Sequence, residues 1–108
     1  MTTVKINPGV CGFVTKVTAE SNPDDRYAVT VHVVSGCKAI SEMMDELGSE
    51  FKAFEVCLVK PGNGPFFKYA REKYPVHAGC PVIAGITKCV EAECHLALKR
   101  NCSIEFED

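Results

Sequence analysis

Cysteine is the residue type of this chain that points most directly to chemistry, with seven copies in 108 residues. Because seven is odd, at least one thiol must be free, bound to a metal or joined to another chain. Thiolate sulfur selects soft metal species such as zinc, copper(I) and iron–sulfur clusters. The sequence predicts that Cys11, Cys37 and Cys80 bind zinc or an iron–sulfur species, with His77, at His-x-x-Cys spacing, or a ligand from outside the chain as the fourth ligand.

A predicted β-hairpin is the first reason for grouping these cysteines. Residues 10–18 and 27–34 are rich in alternating β-branched and aromatic residues, which predicts two strands. The polar segment 20–25 between them is typical of a turn, centred near residues 23–24. That centre would put Cys11 almost opposite Cys37, close enough for a shared metal or for a disulfide when metal is absent.

Two of the cysteines are also predicted to lie at helix starts. Cys37 opens a segment with apolar residues at helical spacing up to Leu47, and Cys80 precedes Pro81 at the start of the last helix. The unpaired N–H groups and the positive dipole end at such positions favour the thiolate form. The spacings match no zinc-finger or ferredoxin signature.

The remaining elements complete one layer of helices on one sheet. Residues 51–59 are apolar without a clear period, so they are strand or helix, with strand slightly preferred. Helices are expected from Pro65 to Tyr74 and from Pro81 to about Leu98, and a terminal strand over 103–107. The prediction is a single α+β domain, residues 1–108, of order β-β-α-(β)-α-α-β: an antiparallel hairpin, a C-terminal strand, and two to three helices packed on one face.

Composition and charge exclude several classes of protein. Lys and Arg number 12 against 14 Asp and Glu, so the chain lacks the basic footprint of a nucleic-acid binder. No stretch approaches the length of a membrane span, and the N-terminus lacks the apolar core of a signal peptide. We therefore expect a cytoplasmic protein with no nucleic-acid or membrane partner, whose partner is another protein or a second copy of itself.

Three stretches resemble a known family: Asn-Pro-Gly-Val-Cys-Gly-Phe at 7–13, Ser-Gly-Cys at 35–37, and His-Ala-Gly-Cys-Pro-Val-x-x-Gly-Ile-x-Lys at 77–88. They are similar to small cysteine-containing proteins of unknown function from anaerobic bacteria and archaea. The resemblance spans nearly the whole chain and implies that the cysteines of these three stretches matter. The other four cysteines are commonly replaced in that family. Ile83 stands where the family often has the second proline of Cys-Pro-Val-Pro.

Two alternatives to a non-catalytic metal-binding protein stay open at this point. One is a sulfur carrier in which Cys80, at a helix start before Pro81, is the nucleophile. The other is an accessory interaction module whose cysteines are all structural. For the remaining cysteines we expect packing roles, because they lie in apolar runs or beside a predicted strand: Cys57, Cys89, Cys94 and Cys102.

Overall fold

The computed structural model describes residues 1–73 and 77–108, and it shows a four-stranded antiparallel sheet with helices on one face. The strands lie in the sheet in chain order: β1 (Thr2–Ile6), β2 (Thr15–Asn22), β3 (Asp25–Ser35) and β4 (Glu50–Lys52). The helices are α1 (Lys38–Leu47), α2 (Ala53–Cys57), α3 (Pro65–Lys73) and α4 (Val82–Glu93). The α+β class is confirmed. No helix of the described residues is long and apolar enough to cross a membrane.

The sheet buries one face and leaves the other open. Along β2, Thr15, Val17 and Ala19 have no exposed surface, whereas Lys16 and Glu20, which alternate with them, are exposed. This alternation follows from the period of two along a strand. The buried residues of β1, β2 and β3 join those of all four helices in one apolar cluster, in which α4 supplies the most members: Val82, Ile83, Ile86, Cys89 and Val90, with Cys94 just after the helix.

The predicted hairpin is present as β2 and β3, but its register differs from the prediction. At the turn Asn22 pairs with Asp25, as a centre between residues 23 and 24 requires. A bulge between Ser21 and Asn22 then shifts the register, and Thr15 pairs with Ser35. One strand of a bulge contributes extra residues, so every later pair is displaced. The position of the turn alone therefore could not predict which residues pair at the end of the hairpin away from the turn.

Both ends of the chain also differ from the prediction. Residues 10–14, predicted as strand, belong to a loop in which Gly9 and Gly12 have φ values of 88° and 71°. The strand on that side of the sheet is instead β1, which the sequence reading did not assign. The predicted C-terminal strand over 103–107 is wrong, because this segment is exposed and pairs with no strand.

The helices agree better with the sequence. Helix α1 is confirmed, and α3 begins at Pro65 as expected, while its predicted end at Tyr74 lies outside the described residues. Helix α4 stops at Glu93 rather than near Leu98, because His95 takes a left-handed conformation with φ 60° that ends the helix. Residues 51–59, for which strand and helix were both open, begin with the end of strand β4 and continue as helix α2.

Candidate functional site

The seven thiols fall into accessible and buried groups. Cys11 and Cys102 are exposed, and Cys37 and Cys80 are partly buried against the core. Cys89 and Cys94 are fully buried. Cys57 is partly buried, and its Sγ donates to the backbone oxygen of Thr87 at 3.7 Å. All seven are free cysteines in this structure.

Burial makes three of these thiols chemically inert. Desolvation, with added repulsion from Glu91 and then Cys94, raises the pKa of Cys57 to about 12. Desolvation likewise raises the pKa of Cys89 to about 11, and it raises the pKa of Cys94. Since the thiolate is the nucleophile, the raised pKa values lower the reactivity of these three side chains. The expected packing role of Cys57, Cys89 and Cys94 agrees with their positions, whereas the same expectation is wrong for Cys102, which is exposed.

One end of the sheet carries the other candidate cysteines. There β1 ends, β2 begins and β3 ends, since Ile6 pairs with Thr15 and Thr15 pairs with Ser35. Cys11 lies in the loop that joins β1 to β2, and Cys37 lies two residues after β3, at the N-cap of α1. We call this edge of the molecule the cysteine end.

A chain of hydrogen bonds ties the two loops at the cysteine end together. The backbone N–H of Cys37 donates to Ser35 Oγ at 3.1 Å, and Ser35 Oγ lies 2.7 Å from Thr15 Oγ1. Thr15 Oγ1 donates in turn to the backbone oxygen of Phe13 at 3.1 Å. Because the hydroxyl proton of Thr15 goes to Phe13, Ser35 donates to Thr15. The hydrogen bonds thus connect Cys37 to the segment that follows Cys11. Sequence reasoning assigned no role to Thr15 and Ser35, although a serine two residues before a helix N-cap is a usable signal.

Helix α4 brings Cys80 to the same end. The helix runs antiparallel to β1, because Gly85 packs against Ile6 while Cys89 Sγ donates to the backbone oxygen of Thr2 at 3.3 Å. At about 1.5 Å per helical residue, the start of α4 extends past the end of β1. Cys80 precedes the N-cap residue Pro81. The predicted helix-start positions of Cys37 and Cys80 are thus confirmed.

His77 is joined to Cys80 by a tight turn. The backbone N–H of Cys80 donates to the backbone oxygen of His77 at 3.0 Å, and the imidazole of His77 is exposed. The other two histidines lie outside the cysteine end: His32 is exposed on β3 opposite Thr18, and His95 follows α4.

The cysteine end is not a finished metal site. Among residues 1–73 and 77–108, no group of three or more His, Cys, Asp or Glu side chains is arranged to hold a metal ion. The predicted cross-strand pairing of Cys11 with Cys37 is also wrong, because Cys11 lies in the loop before β2 rather than in the strand. The geometric argument for an easy Cys11–Cys37 disulfide is lost with it. What the fold does place at the same end of the sheet is three loops, each with one accessible or partly accessible cysteine.

Comparison with known proteins assigns the chain to a family without giving it an activity. Neither a curated protein nor a solved structure matches it. A family model with the description "Family of unknown function" (DUF6951) matches residues 2–106, which is nearly the whole chain. The chain belongs to the family of unknown function DUF6951.

Proposed function

We propose that this protein binds a soft metal species, zinc or an iron–sulfur species, through Cys11, Cys37 and Cys80 at the cysteine end. His77 or a ligand from outside the chain completes the set of four. The protein acts as a binding protein rather than as an enzyme. A reducing compartment keeps thiols available as ligands, so the proposal includes a cytoplasmic location.

The observation that carries the proposal is the separation of the thiols by position. Cys89 and Cys94 are fully buried and Cys57 lies at the end of α2, whereas the three proposed ligands lie on loops at one end of the sheet. Cys37 and Cys80 also stand at the starts of α1 and α4, helices of 10 and 12 residues. The positive end of a helix dipole stabilises a bound thiolate.

The described arrangement fits the proposed metal only after a local rearrangement. The three loops must close around the ion, since no group of three ligands among the described residues is preformed. Metal binding and ordering of the cysteine end are then coupled.

The test is metal analysis of protein purified without oxygen. We expect about one zinc ion, or iron with acid-labile sulfide, per chain, and cobalt(II) substitution should give thiolate charge-transfer absorption. The variants C11S, C37S and C80S should each lose the metal. C102S is the matched control, because Cys102 is as exposed as Cys11 but lies in the C-terminal segment. A folded, metal-free wild-type protein in which Cys11, Cys37 and Cys80 are all titratable thiols would refute the proposal.

A sulfur carrier that uses Cys80 alone is the second candidate, favoured by the position of Cys80 directly before Pro81 and α4. It predicts a persulfide on Cys80 that survives in C11S and C37S and disappears only in C80S. A metal site instead requires all three cysteines. Loss of the bound metal in all three variants therefore selects the metal site. Loss of the persulfide in C80S alone selects the carrier. Native thiols that all resist alkylation would select a module with structural cysteines only.

A further inference from the structure

The segment that follows α4 is exposed, and its sequence alternates as in a β-strand although it forms no strand in the structure. Residues 103–107 read Ser-Ile-Glu-Phe-Glu, and the side chains of Ile104 and Phe106 are 91% and 95% exposed. Apolar and acidic residues alternate, so an extended segment would present Ile104 and Phe106 on one face and Glu105 and Glu107 on the other. We propose that this segment adds as a fifth strand to β1 of a second copy of the chain.

The outer edge of β1 is the place where such a strand fits. In the described part of the chain β1 pairs with β2 alone, and it ends the sheet on that side. An edge strand presents unpaired backbone N–H and C=O groups that a further strand can satisfy. β1 has five residues, the same length as the tail segment.

The side chains of the two strands are complementary on both faces of the sheet. On the helix side β1 presents Val4, which is only partly buried, and Ile104 and Phe106 would extend the apolar layer there. On the open side Lys5 lies directly opposite Lys16, and both are exposed. Like charges that face each other across two strands destabilise a sheet.

No acidic partner relieves this lysine pair in the structure. The ion pairs formed by the described residues are Met1 with Glu93 and Lys38 with Glu42, so Lys5 and Lys16 form none. An added strand with Glu105 and Glu107 on the open face would bring carboxylates beside the two lysines. The same lysines disfavour direct pairing of two β1 edges, since Lys5 would then approach its own copy.

The structure favours a second copy over the chain's own β1 as the acceptor. Within one chain, the side chains of Ile104 and Phe106 are almost fully exposed, so they contact almost nothing. If two copies exchanged these segments, Ile104 and Phe106 of each copy would be buried and each sheet would gain a fifth strand. This contact is reciprocal, as a twofold dimer requires.

The test is sedimentation velocity of the full chain over a wide concentration range, with reductant present. We expect a reversible dimer in wild type and, in F106D, a dimer dissociation constant raised about tenfold or more. L98D is the matched control, because Leu98 is 81% exposed but lies outside the segment. K5E should weaken the dimer, and K5E combined with E105K should restore it.

A labelled peptide of residues 99–108 gives a second readout. It should bind to F106D chains, whose own tails cannot dock, and β1 amides should gain protection from hydrogen exchange when it binds. A wild-type chain that stays monomeric, or a dimer that F106D leaves unchanged, would overturn the proposal. Protection of the outward-facing β1 amides, which do not bond to β2, at concentrations where the chain is monomeric would also overturn it, since the tail would then dock on its own chain.

Discussion

Gly85 of α4 lies directly against Ile6 at the end of β1, and a Cβ at position 85 would overlap the Ile6 side chain. Only a residue without a side chain allows the helix to approach the strand this closely. The contact sets how far α4 extends past β1, and it therefore sets the position of Cys80 at the cysteine end. The packing of one glycine thus bears on the proposed site as well as on stability.

G85A should destabilise the protein, although replacing glycine by alanine inside a helix ordinarily stabilises it. We expect a loss of about 1–3 kcal/mol in the free energy of unfolding, because the new methyl group overpacks a buried contact. Urea denaturation of wild type and variant measures this loss.

The double variant G85A/I6A is the control for this mechanism. Truncation of Ile6 removes the atoms that the new Cβ would overlap, so the double variant should be more stable than the sum of the two single effects predicts. Strict additivity, or a G85A variant more stable than wild type, would contradict the proposed overlap.

Glu93 anchors the end of α4 to the sheet. Its carboxylate accepts hydrogen bonds from Thr2 Oγ1 at 2.7 Å, from the backbone N–H of Ser21 at 2.9 Å and from Ser21 Oγ at 3.0 Å. Burial opposes its ionisation, but these hydrogen bonds, with that from the N-terminal amine, lower the pKa of Glu93 to about 2. E93Q should cost about 1.5–3 kcal/mol near neutral pH, since it removes hydrogen bonds to a charged group.

The cost of E93Q should depend on pH in a defined direction. Because the folded-state pKa of Glu93 lies below its ordinary value of 4.5, the ionised group stabilises the fold above pH 4.5. That stabilisation is lost as the pH falls from 4.5 towards 2. The stability curves of wild type and E93Q should converge over this range, whereas those of E20Q, which alters an exposed glutamate of β2, should follow wild type throughout.

T15V should loosen the cysteine end. The substitution keeps the shape of the buried side chain but leaves Ser35 Oγ and the Phe13 carbonyl without their partner. We expect a loss of about 1–3 kcal/mol in stability and faster alkylation of Cys37, whose loop is held through Ser35. T18V is the control, because Thr18 is only partly buried on the same strand. Unchanged Cys37 reactivity in T15V would show that the hydrogen-bond chain does not hold this loop.

Alkylation of the native protein should separate the thiols by position. Cys11 and Cys102 should react first, because both are exposed. Cys57, Cys89 and Cys94 should react only on unfolding, since burial raises their pKa values and shields their sulfur atoms. Peptide mass spectrometry after timed labelling measures the order. Early labelling of Cys89 or Cys94 would mean that α4 opens readily.

The local pattern of the sequence was sufficient for α1, for the starts of α3 and α4, and for the fold class. Apolar spacing and the end signals Gly48 and Pro65 marked α1 and the start of α3, because those signals act over a few residues. The same reasoning placed Cys37 and Cys80 at helix starts.

The tertiary structure decided what depends on distant partners. A bulge at Ser21 displaced the hairpin register, and no local signal revealed that Cys11 would leave the strand. A strand forms only where its backbone pairs with a neighbouring strand. β1 pairs with β2, whereas residues 103–107 pair with no strand within a single chain. The sequence by itself determined which cysteines are candidates. The position of Cys80 at the same end of the sheet as Cys11 and Cys37 came from the antiparallel packing of α4 on β1, a long-range contact that only the folded chain supplies.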